Sequence, residues 1–197
     1  MRKGTRTREE IIAQAAGLFN QRGYTGVSVS DVMAATGLKK GGIYNHFDSK
    51  EQLALAVFDY AVGQVRQRFA EGLRGKKTAP ERLHAVIAIM SRYAVDPPVA
   101  GGCPVQNTAI DSDDAHPFLR VRVQQAMDEL QNYILDTVAK GIARSELQPS
   151  VDPVQVASIF IGMLEGALML SKLYDDPSHM DRAVQHLADY IDHQLAL

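Results

Sequence analysis

The sequence predicts an all-α protein with about nine helices. Three observations support this prediction: apolar residues recur at the spacing of amphipathic helices, helix-capping motifs recur along the chain, and alternating strand patterns are almost absent. The chain has 197 residues, of which 46% are hydrophobic. It is therefore long enough for one or two domains with a sizeable core.

The first four helices are predicted in the amino-terminal part of the chain. The run Thr7-Arg-Glu-Glu10 is a capping box, and the apolar stripe that follows it ends at Gly23. Ser28 caps a short second helix, which Gly37 closes, and a third short helix follows. A cap at Ser49 then opens a long fourth helix.

Prolines and capping residues mark the predicted starts of the other five helices. The fifth helix begins in the capping motif Thr78-Ala-Pro-Glu81, and the sixth and seventh begin at Pro104 and Pro117. Asp152 precedes the eighth helix, and Ser178 starts the ninth.

The charged residues are divided unevenly between two parts of the chain. Residues 1–77 contain 13 Lys and Arg against 7 Asp and Glu, whereas residues 78–197 contain 8 against 16. A basic amino-terminal part on an acidic body is typical of a nucleic-acid-binding protein with a separate second function. Ordinary patchiness of a protein surface is the alternative.

The most specific pattern lies in the amino-terminal helices. Three short helices before a long one, with a tight turn between the second and third, match a helix-turn-helix. Residues 7–53 resemble the DNA-binding domain of the TetR family of transcriptional regulators. The residues in register with the family are Gly37, Leu38, Gly41, Ile43, Tyr44, Phe47, Ser49, Lys50, Glu51 and Leu53.

This resemblance implies a homodimeric repressor that binds a palindromic double-stranded DNA operator and is released by a small-molecule inducer. Residues 1–48 would form the DNA-binding domain. Residues 49–197 would form the ligand-binding and dimerisation domain, with the helix at 49–73 connecting the two. A helical small-molecule carrier without DNA function is the alternative.

The start of the third helix is unusual for an isolated helix. Two glycines weaken it, and Lys39 and Lys40 are repelled by the positive end of its dipole. DNA phosphates at that end would make the same charges favourable. The alternative is that Lys39 and Lys40 belong to a solvated turn and that Tyr44 and Phe47 are core aromatic residues. Lys40 and Asn45 have the side chains that read guanine and adenine, and Gly42 stands where relatives carry a base-contacting residue. The predicted DNA-binding residues are Thr25, Ser28, Lys39, Lys40, Gly41, Gly42, Tyr44, Asn45, His46 and Lys50, and the predicted disordered arm contains Arg2, Lys3 and Arg6.

Dimerisation is predicted through the last two helices. Apolar residues surround the helix from Val154 to Leu173 almost completely, so one side would face its own core and the other a partner. A helix buried wholly within its own monomer is the alternative. The predicted interface residues are Phe160, Gly162, Gly166, Leu170, Leu187 and Tyr190. His179, His186 and His193 share one face, which we interpret as an exposed or interface edge rather than a metal site.

The run Gly102-Cys103-Pro104 resembles a motif found at the start of the sixth helix in one branch of TetR-like regulators. Cys103 would cap that helix, where the dipole favours a thiolate, so an electrophile or oxidant sensor is one interpretation. A small buried packing residue is the other. The predicted inducer-binding residues are Met90, Tyr93, Cys103, Asn107, Phe118, Met127, Tyr133 and Met163. Asp113, Asp114 and His116 are interpreted as a polar loop.

Other classes of function find little support in the sequence. It contains no phosphate-binding glycine loop, nucleophile elbow or zinc-spaced pair, so we predict neither an enzyme nor a bound cofactor or metal. A single cysteine and the lack of a signal-peptide pattern predict a cytoplasmic protein. The longest apolar run, Val154 to Leu170, falls short of the roughly 20 residues of a membrane span.

Overall fold

The computed structural model describes residues 3–112 and 114–197, and these residues form nine α-helices and no β-strand. The predicted all-α fold is therefore confirmed. The helices are α1 (Lys3–Gly26), α2 (Val29–Thr36), α3 (Lys40–Tyr44), α4 (Lys50–Gly72), α5 (Ala79–Ser91), α6 (Pro104–Ser112), α7 (Pro117–Ala143), α8 (Pro153–Tyr174) and α9 (Ser178–Tyr190). A 3₁₀ turn, Arg92–Ala94, follows α5, and a π-helical turn, Ile191–Leu195, follows α9.

Contacts divide the chain into two compact units. The first unit comprises Met1–Val65 and Pro97–Ala126, and the second comprises Arg66–Asp96 and Met127–Leu197. The division at residue 48 concerns function rather than contacts, and it stays a prediction.

The first unit packs α1, α2, α3 and the beginning of α4 around a shared core. Its fully buried side chains include Ile11, Val32, Ile43, Phe47 and Leu53. Phe47 is thus a core aromatic residue, whereas Tyr44 is 40% exposed. The core holds α3 by one face and leaves the other face open.

The capping residues of α2 follow the prediction. The hydroxyl of Ser28 accepts a hydrogen bond from the N–H of Asp31 at 3.1 Å, and the carboxylate of Asp31 accepts one from the N–H of Ser28 at 2.7 Å. The helix ends at Gly37, whose φ of 68° is the left-handed conformation that glycine adopts at low cost.

Helix α1 differs from its prediction at its amino-terminal end. It begins at Lys3, so Arg6 lies in the helix and pairs with Glu10 at 2.9 Å instead of belonging to a disordered arm. Arg2 and the side chain of Lys3 lie outside the described residues. The regular helix ends at Gly23, as predicted, because its φ of 70° and ψ of 173° are not helical; a further turn beyond this kink extends α1 to Gly26.

The second unit is built mainly from α5, α8 and α9. Helix α8 is capped by Asp152, as predicted, and buries Phe160, Leu164 and Leu168. Its 22 residues are long and apolar enough to cross a membrane, so the prediction that this segment is too short for a membrane span was wrong. The buried face is that of a core helix, which meets the same criteria of length and composition.

Candidate nucleic-acid interface

Helix α3 presents positive charge on its exposed face. Lys39, Lys40 and Asn45 are exposed. Ile43 and Phe47 are 2% and 1% exposed and pack into the core of the first unit, which holds the opposite face of the helix. Lys39 occupies the capping position with an extended backbone, and its side chain makes no capping hydrogen bond. The start of α3 therefore lacks the side-chain oxygen that normally stabilises a helix amino terminus.

Packing within the chain does not account for the two glycines of α3. A Cβ atom added to Gly41 would meet no atom within 4 Å, and one added to Gly42 would make ordinary contact with Leu38 at 3.4 Å. Both positions thus have room for a side chain in the free protein. A requirement for glycine there would come from a molecule that approaches the backbone closely.

Aromatic rings support two of the lysines predicted to bind phosphate. The Nζ atom of Lys40 lies 5.8 Å from the ring centroid of Tyr44, and that of Lys50 lies 4.2 Å from the centroid of Tyr24. Within the described part of the chain, no salt bridge neutralises Lys39, Lys40 or Lys50. The uncompensated charge on this face favours a polyanionic partner.

Two of the predicted phosphate donors are already engaged in the free protein. The Oγ1 atom of Thr25 lies 3.0 Å from Nε2 of His116, and the hydroxyl of Ser28 donates to Asp31 at 2.5 Å. The hydrogen bonds from Ser28, together with the nearby Arg22, lower the pKa of Asp31 and keep it ionised. A phosphate would have to displace these partners, so both hydroxyls are weaker candidates than the lysines.

The remaining predicted positions differ in exposure. Gly41 and Tyr44 are exposed, whereas Gly42, His46 and Lys50 are partly buried. The ε-carbon of His46 lies 4.0 Å from the position of a Cβ atom on Gly4. His46 therefore lies beside the start of α1.

A polar connection between α1 and the region of α6 was not predicted from the sequence. The amide of Asn20 donates to the carbonyls of Ala100 at 3.0 Å and Gly102 at 3.3 Å. The amide of Asn107 donates to the carbonyls of Asn20 and Gly101, both at 3.0 Å. Asn20 is only 7% exposed, and a buried asparagine of this kind must be fully hydrogen-bonded.

A second part of this connection lies at the bend of α1. The N–H of Tyr24 donates to the carboxylate of Asp111 at 2.7 Å, and the ring of Tyr24 packs edge-on against His116 and Phe118. We call the contacts of Asn20 and Tyr24 with the α6 region the α1–α6 clamp. A polar residue near the end of an apolar helix stripe was the only sequence signal for it.

The predicted inducer-binding residues are distributed over both units. Cys103, Asn107 and Phe118 lie in the first unit, and Met90, Tyr93, Met127, Tyr133 and Met163 lie in the second. Asn107 and Phe118 take part in the α1–α6 clamp. Cys103 is 3% exposed at the start of α6, which supports the packing interpretation over the sensor.

The predicted dimer residues separate into buried and exposed ones. Phe160 and Leu187 are completely buried within the monomer, so they offer no surface to a partner, and their assignment to the interface was wrong. A Cβ atom added to Gly162 or Gly166 would meet no atom within 4 Å, and Leu170 and Tyr190 are partly buried.

Among the described residues, no metal site is found at His179, His186 and His193 or in the predicted polar loop. His186 and His193 are exposed, and His179 lies 4.0 Å from Asp176. His116 contacts Thr25, whose Oγ1 atom lies 3.0 Å from its Nε2 atom. Asp113 lies outside the described residues.

Known protein families match both parts of the chain. Residues 11–57 match the family described as bacterial regulatory proteins, tetR family. Residues 79–187, more than half of the chain, match the family of tetracyclin repressor-like C-terminal domains.

Three known proteins illustrate these similarities. A TetR transcriptional regulator from Chloroflexus aurantiacus J-10-fl is 51% identical, and its crystal structure matches over 100% of both chains with a TM-score of 0.97. The transcriptional repressor DhaR of Mycobacterium sp. strain GP1 is 24% identical over 90% of this chain and 88% of its own. A putative regulator from Saccharomonospora viridis, solved in complex with choline, shares the fold with 22% identity, coverage of 98% and 99%, and a TM-score of 0.84.

Proposed function

The chain belongs to the TetR family of transcriptional regulators, and we propose that it is a cytoplasmic, homodimeric repressor that a small molecule releases from its operator. DNA binding through a helix-turn-helix is the function of its family. The similarity to the repressor DhaR supports repression, and the choline complex of a protein with the same fold supports a small-molecule inducer.

The single observation that carries the DNA interface is the exposed face of α3. Lys39, Lys40 and Asn45 point away from a core that holds Ile43 and Phe47. Phosphates beside the two lysines would compensate both the missing cap and the repulsion from the helix dipole. A dimer would place two such helices on the half-sites of a palindrome.

The α1–α6 clamp supports a route for induction. Any ligand that shifts α6 must carry α1 with it or break the hydrogen bonds of Asn20 and Asp111. Breaking these partly buried bonds would leave polar groups unpaired, at a cost of up to about 1–3 kcal/mol each where water cannot replace the partner. Ligand would therefore favour a conformation of the dimer in which α3 no longer fits the operator.

Mobility shift of the DNA beside the gene of this protein tests the proposal. The full chain should retard a fragment from that region, and the binding constant should fall steeply as salt increases. A helical carrier without DNA function would retard no fragment at any salt concentration.

We expect Asn45→Ala to change which base is preferred at one operator position. A bidentate hydrogen bond between asparagine and adenine is worth about 1–3 kcal/mol of discrimination. Selection of binding sites from a randomised DNA library would measure this change. If the Asn45→Ala protein selected the same site as the wild type, Asn45 would not be a base-reading residue.

We expect Gly166→Leu to weaken the dimer and leave the monomer folded. The site is open in the monomer, but a bulky side chain would separate two closely packed helices at a cost of about 1–3 kcal/mol. This corresponds to a dimer dissociation constant raised by about 5-fold to 150-fold. Sedimentation velocity over a concentration series would measure it.

Gly63→Leu is the matched control for the dimer experiment. Gly63 also lies within a helix where an added Cβ meets no atom within 4 Å, but in α4. Its substitution should leave the dissociation constant close to that of the wild type. Equal weakening by both substitutions would argue against an interface through α8.

A further inference from the structure

The second unit contains a polar cavity of about 410 Å³ that shares only Tyr133 with the predicted inducer-binding residues. It lies between the start of α5 and the carboxyl-terminal half of α7, with the loop after α7 on its edge. Six charged side chains line it: Lys77, Arg82, Lys140, Arg144, Asp136 and Glu146. The volume is in the range of small-molecule sites, which is about 300–1,000 Å³.

Both carboxylates of the cavity are already engaged. Asp136 accepts a hydrogen bond from Lys140 at 3.2 Å, and Glu146 accepts one from the N–H of Ala79 at 2.6 Å. In the described ranges of the chain, no salt bridge joins Lys77, Arg82 or Arg144 to a carboxylate. Three cationic side chains therefore face one cavity without a counter-ion from the protein.

This excess of positive charge contrasts with the rest of the second unit. The unit carries 11 Lys and Arg against 14 Asp and Glu, whereas the cavity is lined by four cations and two carboxylates. Gathering like charges around one cavity costs free energy in the empty protein. An anion in the cavity would convert that repulsion into attraction.

The walls of the cavity are held in place by close packing. A Cβ atom on Gly141 would lie 2.5 Å from that of Ala79 and 2.8 Å from Leu147, so α7 and the start of α5 can approach only because residue 141 is glycine. Arg82 is positioned by the hydroxyl of Tyr133 at 3.4 Å. Arg82 lies on α5 itself, and Lys77 and Arg144 lie within two residues of the packed ends of α5 and α7.

We propose that this cavity binds a small organic anion with at least two negative charges, carried by phosphate or carboxylate groups. The planar guanidinium groups of Arg82 and Arg144 suit paired oxygen atoms, and Lys77 supplies a further charge. The amide of Asn132 and the hydroxyl of Tyr133 are available as neutral partners. The helix dipole of α5 adds little, because Glu146 and Thr78 already accept from its first N–H groups.

Isothermal titration of the full chain with pyrophosphate and, separately, with citrate tests the proposal. Wild-type protein should bind at least one probe at low salt, and Lys77→Gln/Arg144→Gln should weaken that binding at least tenfold. Preference for pyrophosphate would identify a phosphorylated ligand, and preference for citrate a polycarboxylate. Failure of both probes to bind would overturn the proposal.

Two further variants distinguish a built site from general charge attraction. Arg74→Gln/Lys76→Gln removes the same charge from exposed neighbours that do not line the cavity, and its affinity should match the wild type. Glu146→Gln keeps an oxygen to accept from Ala79 but removes the repulsive charge, so its affinity should increase. Equal weakening by both double variants, or no increase in Glu146→Gln, would contradict the site.

Discussion

Replacing Gly23 with alanine is expected to destabilise the protein more than any other glycine-to-alanine change in the first unit. The φ of 70° and ψ of 173° at this residue form a conformation that is almost restricted to glycine, and alanine would carry a strain of about 1–3 kcal/mol. The added Cβ would also lie 2.5 Å from a carboxylate oxygen of Asp111. That carboxylate would have to move, and its hydrogen bond to Tyr24 would be lost.

Chemical denaturation of the wild type and of Gly23→Ala would measure the difference in their free energies of unfolding. Gly63→Ala is the control, because Gly63 lies in a helix with open space around it. That substitution should increase the free energy of unfolding by about 0.5–1 kcal/mol, the usual advantage of alanine over glycine in a helix. A Gly23→Ala protein as stable as the wild type would show that α1 does not bend as described.

The largest effect on DNA affinity is expected from Lys39→Gln/Lys40→Gln. Log affinity falls with log salt at a slope of about −0.9 per phosphate contact, so the loss of two contacts should make the slope less steep by about 1.8. At 0.15 M salt the same relation gives about 1 kcal/mol per contact, or about 30-fold weaker binding in total. Fluorescence anisotropy of a labelled operator at several salt concentrations would measure both quantities.

The control for this experiment is Arg74→Gln/Lys76→Gln, which removes two exposed charges from the loop after α4. It changes the net charge equally, so its salt slope should remain close to that of the wild type. An equal decrease of the slope in both proteins would mean that net charge, and not the face of α3, determines the affinity. Circular dichroism should confirm that both variants remain helical.

Local signals in the sequence were sufficient for most of the fold. Helix caps join residues no more than three positions apart, so they can be recognised from the local sequence. Examples are the capping boxes at Ser28 and Thr78 and the cap at Asp152. The end of the regular helix at Gly23 was predicted from the same kind of signal, but its tertiary contact was not. Asp111, which lies 88 positions further along the chain, accepts a hydrogen bond from the next residue, Tyr24, and is brought there only by the tertiary fold.

The candidate site was predicted less evenly than the fold. The lysines of α3 follow from their position in the motif, but the hydroxyl groups of Thr25 and Ser28 have partners within the chain. The dimer residues show a further limit: α8 is apolar on nearly every side, so its sequence did not reveal that Phe160 faces its own core. The cavity lined by Lys77, Arg82 and Arg144 combines segments about 60 residues apart, and no local pattern announces it.

The division of α3 into a buried and an exposed face has a consequence for how this regulator can diverge. Ile43 and Phe47 are buried in the core and maintain the fold. Lys40, Gly41 and Asn45 are exposed, and Gly42 has room for a Cβ atom, so none of the four is needed for core packing. Substitutions on the outer face should therefore be nearly neutral for folding. A duplicated gene could acquire a new set of target promoters through a few such changes, while its sensing half remains intact.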